Sequence, residues 1–303
     1  MTTNISTITA WFKELQSQIT EALSHLDGKA IFHSDKWNRE EGGGGDTRII
    51  QNGNIFEKGG VNFSHVFGKL PEAMKSESRI ADYFEAGGVS IVIHPYNPYV
   101  PIIHMNVRYF EMLDVEEGNY VDSWFGGGID LSPAYPNEAD TRFFHQSLKE
   151  VCDRHQERYY DEFKTWCDKY FWIAHRKQMR GVGGLFFDYL RPNPTESLDT
   201  IFSFVKEIAE TFIPTYSEIV RRNQDRPFME RQKNWQLIRR GYYTEFNLVY
   251  DRGTHFGLKS GGRIESILMS LPPLAVWEYD KKFAKGSEEE KTLRFFQPID
   301  WCK

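Results

Sequence analysis

Cysteine is scarce: Cys152, Cys167 and Cys302 are an odd set of three in 303 residues, with no Cys-x-x-Cys spacing. A disulfide framework is therefore excluded, and structural thiols in a reduced, cytoplasmic compartment are expected. Basic residues do not predominate either. Lys plus Arg number 37 against 43 Asp plus Glu, and the net charge of −6 argues against a nucleic-acid binder. An anionic small ligand would have to be held by local arginines rather than by the field of the whole chain. No apolar run approaches the ~20 residues that cross a bilayer, so no integral membrane association is expected. The N-terminus lacks a basic stretch leading into an apolar one, so no secretory signal is expected. Also missing are Gly-x-x-x-x-Gly-Lys-Ser/Thr, a Gly-x-Gly-x-x-Gly between strand and helix, His-Glu-x-x-His and Gly-x-Ser-x-Gly. Their absence removes the usual signatures of nucleotide sites, zinc proteases and serine hydrolases.

What is present is a run of unusual polarity, Ile103 to Phe110. Alternation sends Ile103, Met105, Val107 and Tyr109 to one face of a strand and His104, Asn106 and Arg108 to the other. A guanidinium grips a carboxylate through a two-pronged fork, and an imidazole exchanges protons near neutral pH. The plainer reading is a solvent-facing sheet surface. A second short strand, Ser90 to His94, follows Gly87-Gly88 and stops at Pro95. The linker Pro95–Pro101 carries three prolines, which suits a tight connection. If the two strands pair, Ser90, His94, His104, Asn106 and Arg108 share one surface.

Elsewhere, an apolar stripe predicts a helix over 7–26, stopped by Gly28. Strands are expected at Thr47–Gln51, Asn54–Glu57 and Val61–Phe67, with Asn52-Gly53 as a hairpin signal. Helices are expected over 140–156 (with Asp140 as N-cap), 158–178, 197–224 and 227–238. Further strands are expected at Gly184–Asp188, Tyr243–Tyr250 and Ile264–Met269. With no repeat or linker, residues 1–303 read as a single α/β domain of the α+β type on a largely antiparallel sheet.

Glycine pairs and runs recur, at 42–45, 59–60, 87–88, 126–128, 183–184 and 261–262. They suit close approach of backbone to a bulky ligand, or sharp turns. Gly126-Gly127-Gly128 leads to Asp130, either a loop-capping carboxylate or one aimed into a cleft to accept N–H bonds or a proton. Gly261-Gly262-Arg263 sets a guanidinium beside bare backbone. His94, His104, His145 and His175 invite a metal reading, but their spacing fits no compact ligand signature.

Taken together, Gly42–Gly45, Gly60–His65, His94-Pro95 through Pro101, Asn106–Phe110, Trp124–Gly128, Arg180–Asp188 and Tyr243 through Arg263 resemble the oxygen-dependent coproporphyrinogen III oxidase family. The likeness runs from about residue 11 to residue 280; a minor departure is Ser123, where the family often has an aromatic. It implies a flat antiparallel sheet covered by helices on both sides. It also implies conversion of two propionates of coproporphyrinogen III to vinyl groups, giving protoporphyrinogen IX, carbon dioxide and hydrogen peroxide in heme biosynthesis. Molecular oxygen would be co-substrate, with no organic cofactor. By matching position, Ser90, Asn106, Val107, Arg108, Gly261, Gly262 and Arg263 would line the substrate site. His104 would be the proton donor and Asp130 the essential carboxylate, accepting pyrrole N–H bonds beneath the macrocycle. His94, His104, His145 and His175 match positions assigned to a divalent metal such as manganese in bacterial members. The resemblance further implies a homodimer, with residues 243–278 contributing to the interface. Two other classes compete: a tetrapyrrole carrier, which would not need Asp130, and a metal-dependent hydrolase, which would need ligands at tighter spacing.

Overall fold

The computed structural model describes residues 3–70, 80–115, 119–259 and 262–303. The chain opens with helix α1 (Ile5–Asp27), then runs through six strands: β1 (His33–Asn38), β2 (Gly43–Gln51), β3 (Phe56–Lys69), β4 (Tyr83–Pro95), β5 (Ile102–Asp114) and β6 (Asn119–Ser132). Helices α2 (Glu138–His155) and α3 (Glu157–Tyr170) follow, then a small hairpin of β7 (Trp172–Ile173) and β8 (Gln178–Met179), and strand β9 (Gly183–Leu190). The rest is helical: α4 (Leu198–Glu210), α5 (Phe212–Asn223), α6 (Glu230–Val249), α7 (Arg252–Lys259), α8 (Ile264–Leu268) and α9 (Glu288–Thr292). One sheet of seven strands, in the order β1-β2-β3-β4-β5-β6-β9 and antiparallel throughout, carries the molecule.

The two sheet faces are distinct in chemistry. Val61, Ile91, Met105, Ile129 and Leu185 lie side by side across five strands and are buried with α1, α2, α4 and α5. α1 contributes Ile8, Phe12, Leu15, Ile19 and Leu23, all but fully buried, each worth about 1.5–3 kcal/mol relative to exposure. Its ends behave as the sequence implies: Asn4 caps the first turn and Gly28 takes a left-handed φ of 70°. The opposite face carries the polar residues and is roofed at one end by α6. There, Trp235, Ile238, Tyr242 and Phe246 pack with Phe171, Ile173 and Phe186.

The Asn52-Gly53 turn joins β2 to β3, with Asn52 at φ 55°. Gly53 is needed for space rather than conformation. A Cβ there would lie 2.2 Å from Asp27 Oδ2, and that carboxylate accepts the backbone N–H groups of Ala30, Asn54, Ile55 and Phe56.

Several expectations need correction. Tyr243–Tyr250 is not a strand but the last two turns of α6, because Tyr242, Tyr243 and Phe246 continue the helical spacing of Trp235 and Ile238. Ile264–Met269 likewise forms the short helix α8. The helix expected over 158–178 ends at Tyr170. Phe171 and Ile173, two residues apart, both enter the same cluster, which only extended backbone allows. The stretch 197–224 is two helices meeting at Thr211, and Pro214 falls in the first turn of α5, where its missing N–H is tolerated. Asn137, not Asp140, caps α2. Asp140 instead binds Asn223 at 2.7 Å and Arg222 at 3.1 Å, tying α2 to α5. Gly126–Gly128 is mid-strand in β6, and the exposed edge strand β1 had no alternation to reveal it.

Candidate active site

Register decides what the polar face can do. Antiparallel pairing sets Ser90 opposite Asn106, and Asn106 opposite Gly128. One step along, Val92 faces His104, which faces Asp130; one step the other way, Gly88 faces Arg108, which faces Gly126. Ser90, His94, His104, Asn106, Arg108 and Asp130 therefore share a face, as alternation implied.

His104 and Asp130 meet across the strands, with Nδ1 2.8 Å from Oδ1. The carboxylate's deeper side is gripped by Arg180, whose Nη2 lies 3.0 and 2.9 Å from the two oxygens. Arg180 is itself held by Asn247 Oδ1 at 2.9 Å and by the ring faces of Phe171, Tyr243 and Phe246. Burial alone would push the Asp130 carboxyl up. The Arg180 charge and the hydrogen bonds from His104 and Arg180 outweigh it and hold its pKa below the ordinary value. An ionised carboxylate only accepts, so Nδ1 of His104 carries the proton of this bond and Nε2 takes no part in it. Side-chain exposure follows the same order, 20% for His104 and 2% for Asp130. Asp130 thus faces His104 and Arg180 rather than the open surface. A ligand would meet the imidazole first.

Beside this chain, Arg108 donates Nη1–H to Asn106 Oδ1 at 2.8 Å and sits 2.7 Å from Asp188 Oδ2 through Nη2. Further across the face, Arg263 reaches Asp35 on β1 at 2.5 Å, while Ser266 of α8 meets Thr47 at 2.7 Å and accepts, through its carbonyl, from Asn62 at 2.8 Å. Asp35, Thr47, Asn62, Ser90, Asn106 and Gly128 form one continuous row. The two arginines accordingly stand toward opposite ends of this row, Arg263 over β1 and Arg108 over β5, where the Arg108 guanidinium lies across Gly126.

Other expected site residues fall elsewhere. Val107 points into the core and is fully buried, so only its backbone is near the polar face. Gly262 is bonded through its N–H to Gly257 O at 2.8 Å, and Gly261 lies outside the described residues. The four histidines are not brought together. His94 is buried beneath α6, with Nε2 2.8 Å from Ser270 O; burial, aided by the Arg240 charge, holds its pKa well below the usual value. His145 is enclosed on α2 between Tyr160 Oη at 2.9 Å and Val182 O at 3.1 Å, and burial pushes it down to about 3. His175 is exposed and bound to Tyr250 and Glu245, both at 2.7 Å. Among the described residues no group of three or more His, Cys, Asp or Glu side chains is placed to hold a metal. A wide concavity of about 510 Å³ between α1 and the β1–β2 edge contains none of these residues, and its Arg48 is already held by Asp46 and Thr20.

Sequence reading missed Arg180, Asp188 and Asn247. The first two bracket the segment Arg180–Asp188, whose charged ends were the available signal. No helix among the described residues is long and apolar enough to cross a membrane. The family model for coproporphyrinogen III oxidase matches residues 7–301, nearly the whole chain.

Proposed function

Since the chain belongs to the coproporphyrinogen III oxidase family, we propose that it is the oxygen-dependent enzyme, turning two propionates of coproporphyrinogen III into vinyl groups to give protoporphyrinogen IX. For each side chain, one hydrogen leaves the methylene next to the ring with its electron pair, and the carboxylate leaves as carbon dioxide while the pair of the broken carbon–carboxylate bond forms the vinyl double bond. Oxygen takes that hydrogen with its pair, and with one further proton it becomes hydrogen peroxide. The substrate supplies both electrons, so no step here is assigned to a metal, nor do the four histidines converge to hold one.

The observation that carries this reading is the chain His104–Asp130–Arg180, opening at Nε2 of His104 onto the strand face that also presents Arg108 and Asn106. Arg108 and Arg263 bind propionates as charge-assisted pairs. His104 moves a proton at Nε2, and Asp130 fixes its tautomer and balances the charge that develops on the ring. Ser266 of α8 covers Thr47 and Asn62, so the substrate would meet this face at the partly exposed Ser90, His104, Asn106 and Arg108.

We place the enzyme in the cytoplasm as a homodimer. Leu248, Val249, Phe256, Leu258, Ile264 and Leu274 are large apolar residues exposed within 243–278, a surface suited to a second copy. The decisive experiment incubates purified protein with coproporphyrinogen III, with and without oxygen. Product is expected in air alone. No product in air, or equal product without oxygen, overturns the reading.

A further inference from the structure

Arg108 is not a vacant anion receptor: a carboxylate of the protein's own already occupies it. We propose that Asp188 is a built-in competitor, holding the Arg108 guanidinium until a substrate carboxylate displaces it. It would thereby restrict this position to ligands that other parts of the site hold in place. This rests on the reading of Arg108 as a propionate-binding residue.

Three features of one β-bulge converge on the pair. The first is its register. Phe187 faces Gly127 and Leu190 faces Phe125, so Asp188 and Tyr189 together stand against the single residue Gly126. Bulges of this kind re-aim side chains beside functional sites. The second is Tyr189, at φ 51°, in the left-handed region that a bulky residue enters only at a cost. In that conformation its N–H donates to Asp188 Oδ1 at 3.0 Å, leaving Oδ2 aimed at Arg108. The third is Gly126 itself. A Cβ there would lie 2.6 Å from Asp188 Oδ1 and 2.8 Å from Arg108 Cζ, so the pair rests on bare backbone. An ordinary ion pair on a sheet needs none of these. With side-chain exposures of 13% for Asp188 and 38% for Arg108, the acid is the fixed partner and the guanidinium the accessible one.

The consequence follows from charge. A carboxylate arriving beside the intact pair meets a neutralised guanidinium and the repulsion of Asp188. It gains Arg108 only by replacing one acid with another, so part of the guanidinium's intrinsic affinity offsets that exchange, and a ligand held at Arg108 and nowhere else gains little. A simple carboxylic acid is rejected, whereas a rigid ligand with several carboxylates and other anchors wins the exchange. Apparent affinity is the intrinsic affinity reduced by the fraction of Arg108 that is released.

The test uses the oxidised, unreactive porphyrin with the same four propionates as the proposed substrate, titrated by fluorescence into wild type, Asp188→Asn, Asp188→Ala and Arg108→Ala. The size of a half-exposed ion pair leads us to expect roughly two- to fivefold tighter binding in both Asp188 variants. Millimolar propionate should compete in those variants but not in wild type. Thermal melts check that each variant is folded, and either Asp188 variant suffices. Unchanged or weaker porphyrin binding by a folded Asp188 variant overturns the proposal, because Asp188 would then only position Arg108. Arg108→Ala separates the two claims. If it binds as wild type does, the reading of Arg108 falls as well; if it binds more weakly while the Asp188 variants bind no tighter, only the competitor role falls.

Discussion

Replacing Asp130 by Asn changes one charge at the centre of the site while keeping its shape. The carboxylate meets Arg180 at 3.0 and 2.9 Å and His104 at 2.8 Å, with Asp130 and Arg180 both out of water. Removing one member of a buried ion pair costs about 3–5 kcal/mol, because the partner charge is left uncompensated. Here the lower end applies. The amide still offers an acceptor, and Arg180 keeps Asn247 at 2.9 Å and three aromatic faces. At ~2 °C per kcal/mol for a large chain, a loss of ~3 kcal/mol lowers Tm by about 6 °C, leaving the protein folded at assay temperature. The effect on turnover is larger and has a different origin. The Asn amide turned toward His104 donates to Nδ1, so the ring proton moves to Nε2 and the working lone pair is lost. General acid–base groups of this kind contribute about 10²–10⁴-fold, and a fall in kcat of that order is expected. The pH sign also follows. Because the Asp130 pKa is held below its ordinary value, its contribution to stability is complete above the unfolded-state pKa and is lost as pH falls through the folded-state value. Below about pH 4 the melting curves of wild type and variant should therefore converge. Product formation measured beside a melt from pH 3 to 8 decides the matter. A folded Asn variant with near wild-type kcat refutes the role given to Asp130.

Four further outcomes are expected. Arg108→Lys should raise KM markedly, since a point charge cannot replace a planar fork that also holds Asn106 and Asp188; wild-type kinetics would show that charge alone suffices. Asp27→Ala strands the backbone N–H groups of Ala30, Asn54, Ile55 and Phe56 and should cost about 3 kcal/mol in urea melts. Four backbone hydrogen bonds outweigh burial and hold the Asp27 pKa below its ordinary value. The penalty should therefore shrink as pH drops below about 4. Exhaustive chelation should leave turnover intact; activity lost and then restored by one equivalent of a divalent ion would overturn this. Sedimentation at micromolar concentration should give twice the 35.5 kDa chain mass, and a monomer would remove the interface assigned to 243–278.

Much of the polar face was legible because alternation is a local property. The positions of His104, Asn106 and Arg108 on one side of β5 follow from a two-residue period, and their company with Ser90 and His94 needed only one pairing, between strands joined by a short proline-bound linker. Asn52-Gly53 declared its turn for a similar reason. The glycines of β6 misled because low strand propensity resembles a loop; the reason for Gly126 exists only once Arg108 and Asp188 lie across it. The C-terminal part of α6 misled differently. Its aromatic residues favour strands locally, and only the longer run from Trp235 to Phe246 shows the helical spacing.

By itself, then, the sequence determined which residues could share a surface and which chemical groups that surface would offer. The tertiary structure decided which of those groups meet. Asp130 finds its two partners 26 and 50 residues away, Arg108 finds Asp188 across a bulge, and four histidines that a sequence could gather are given four separate sets of neighbours. Periodicity fixes the direction of a side chain, but a charge's partner depends on register and packing between distant segments, and no local pattern carries that information.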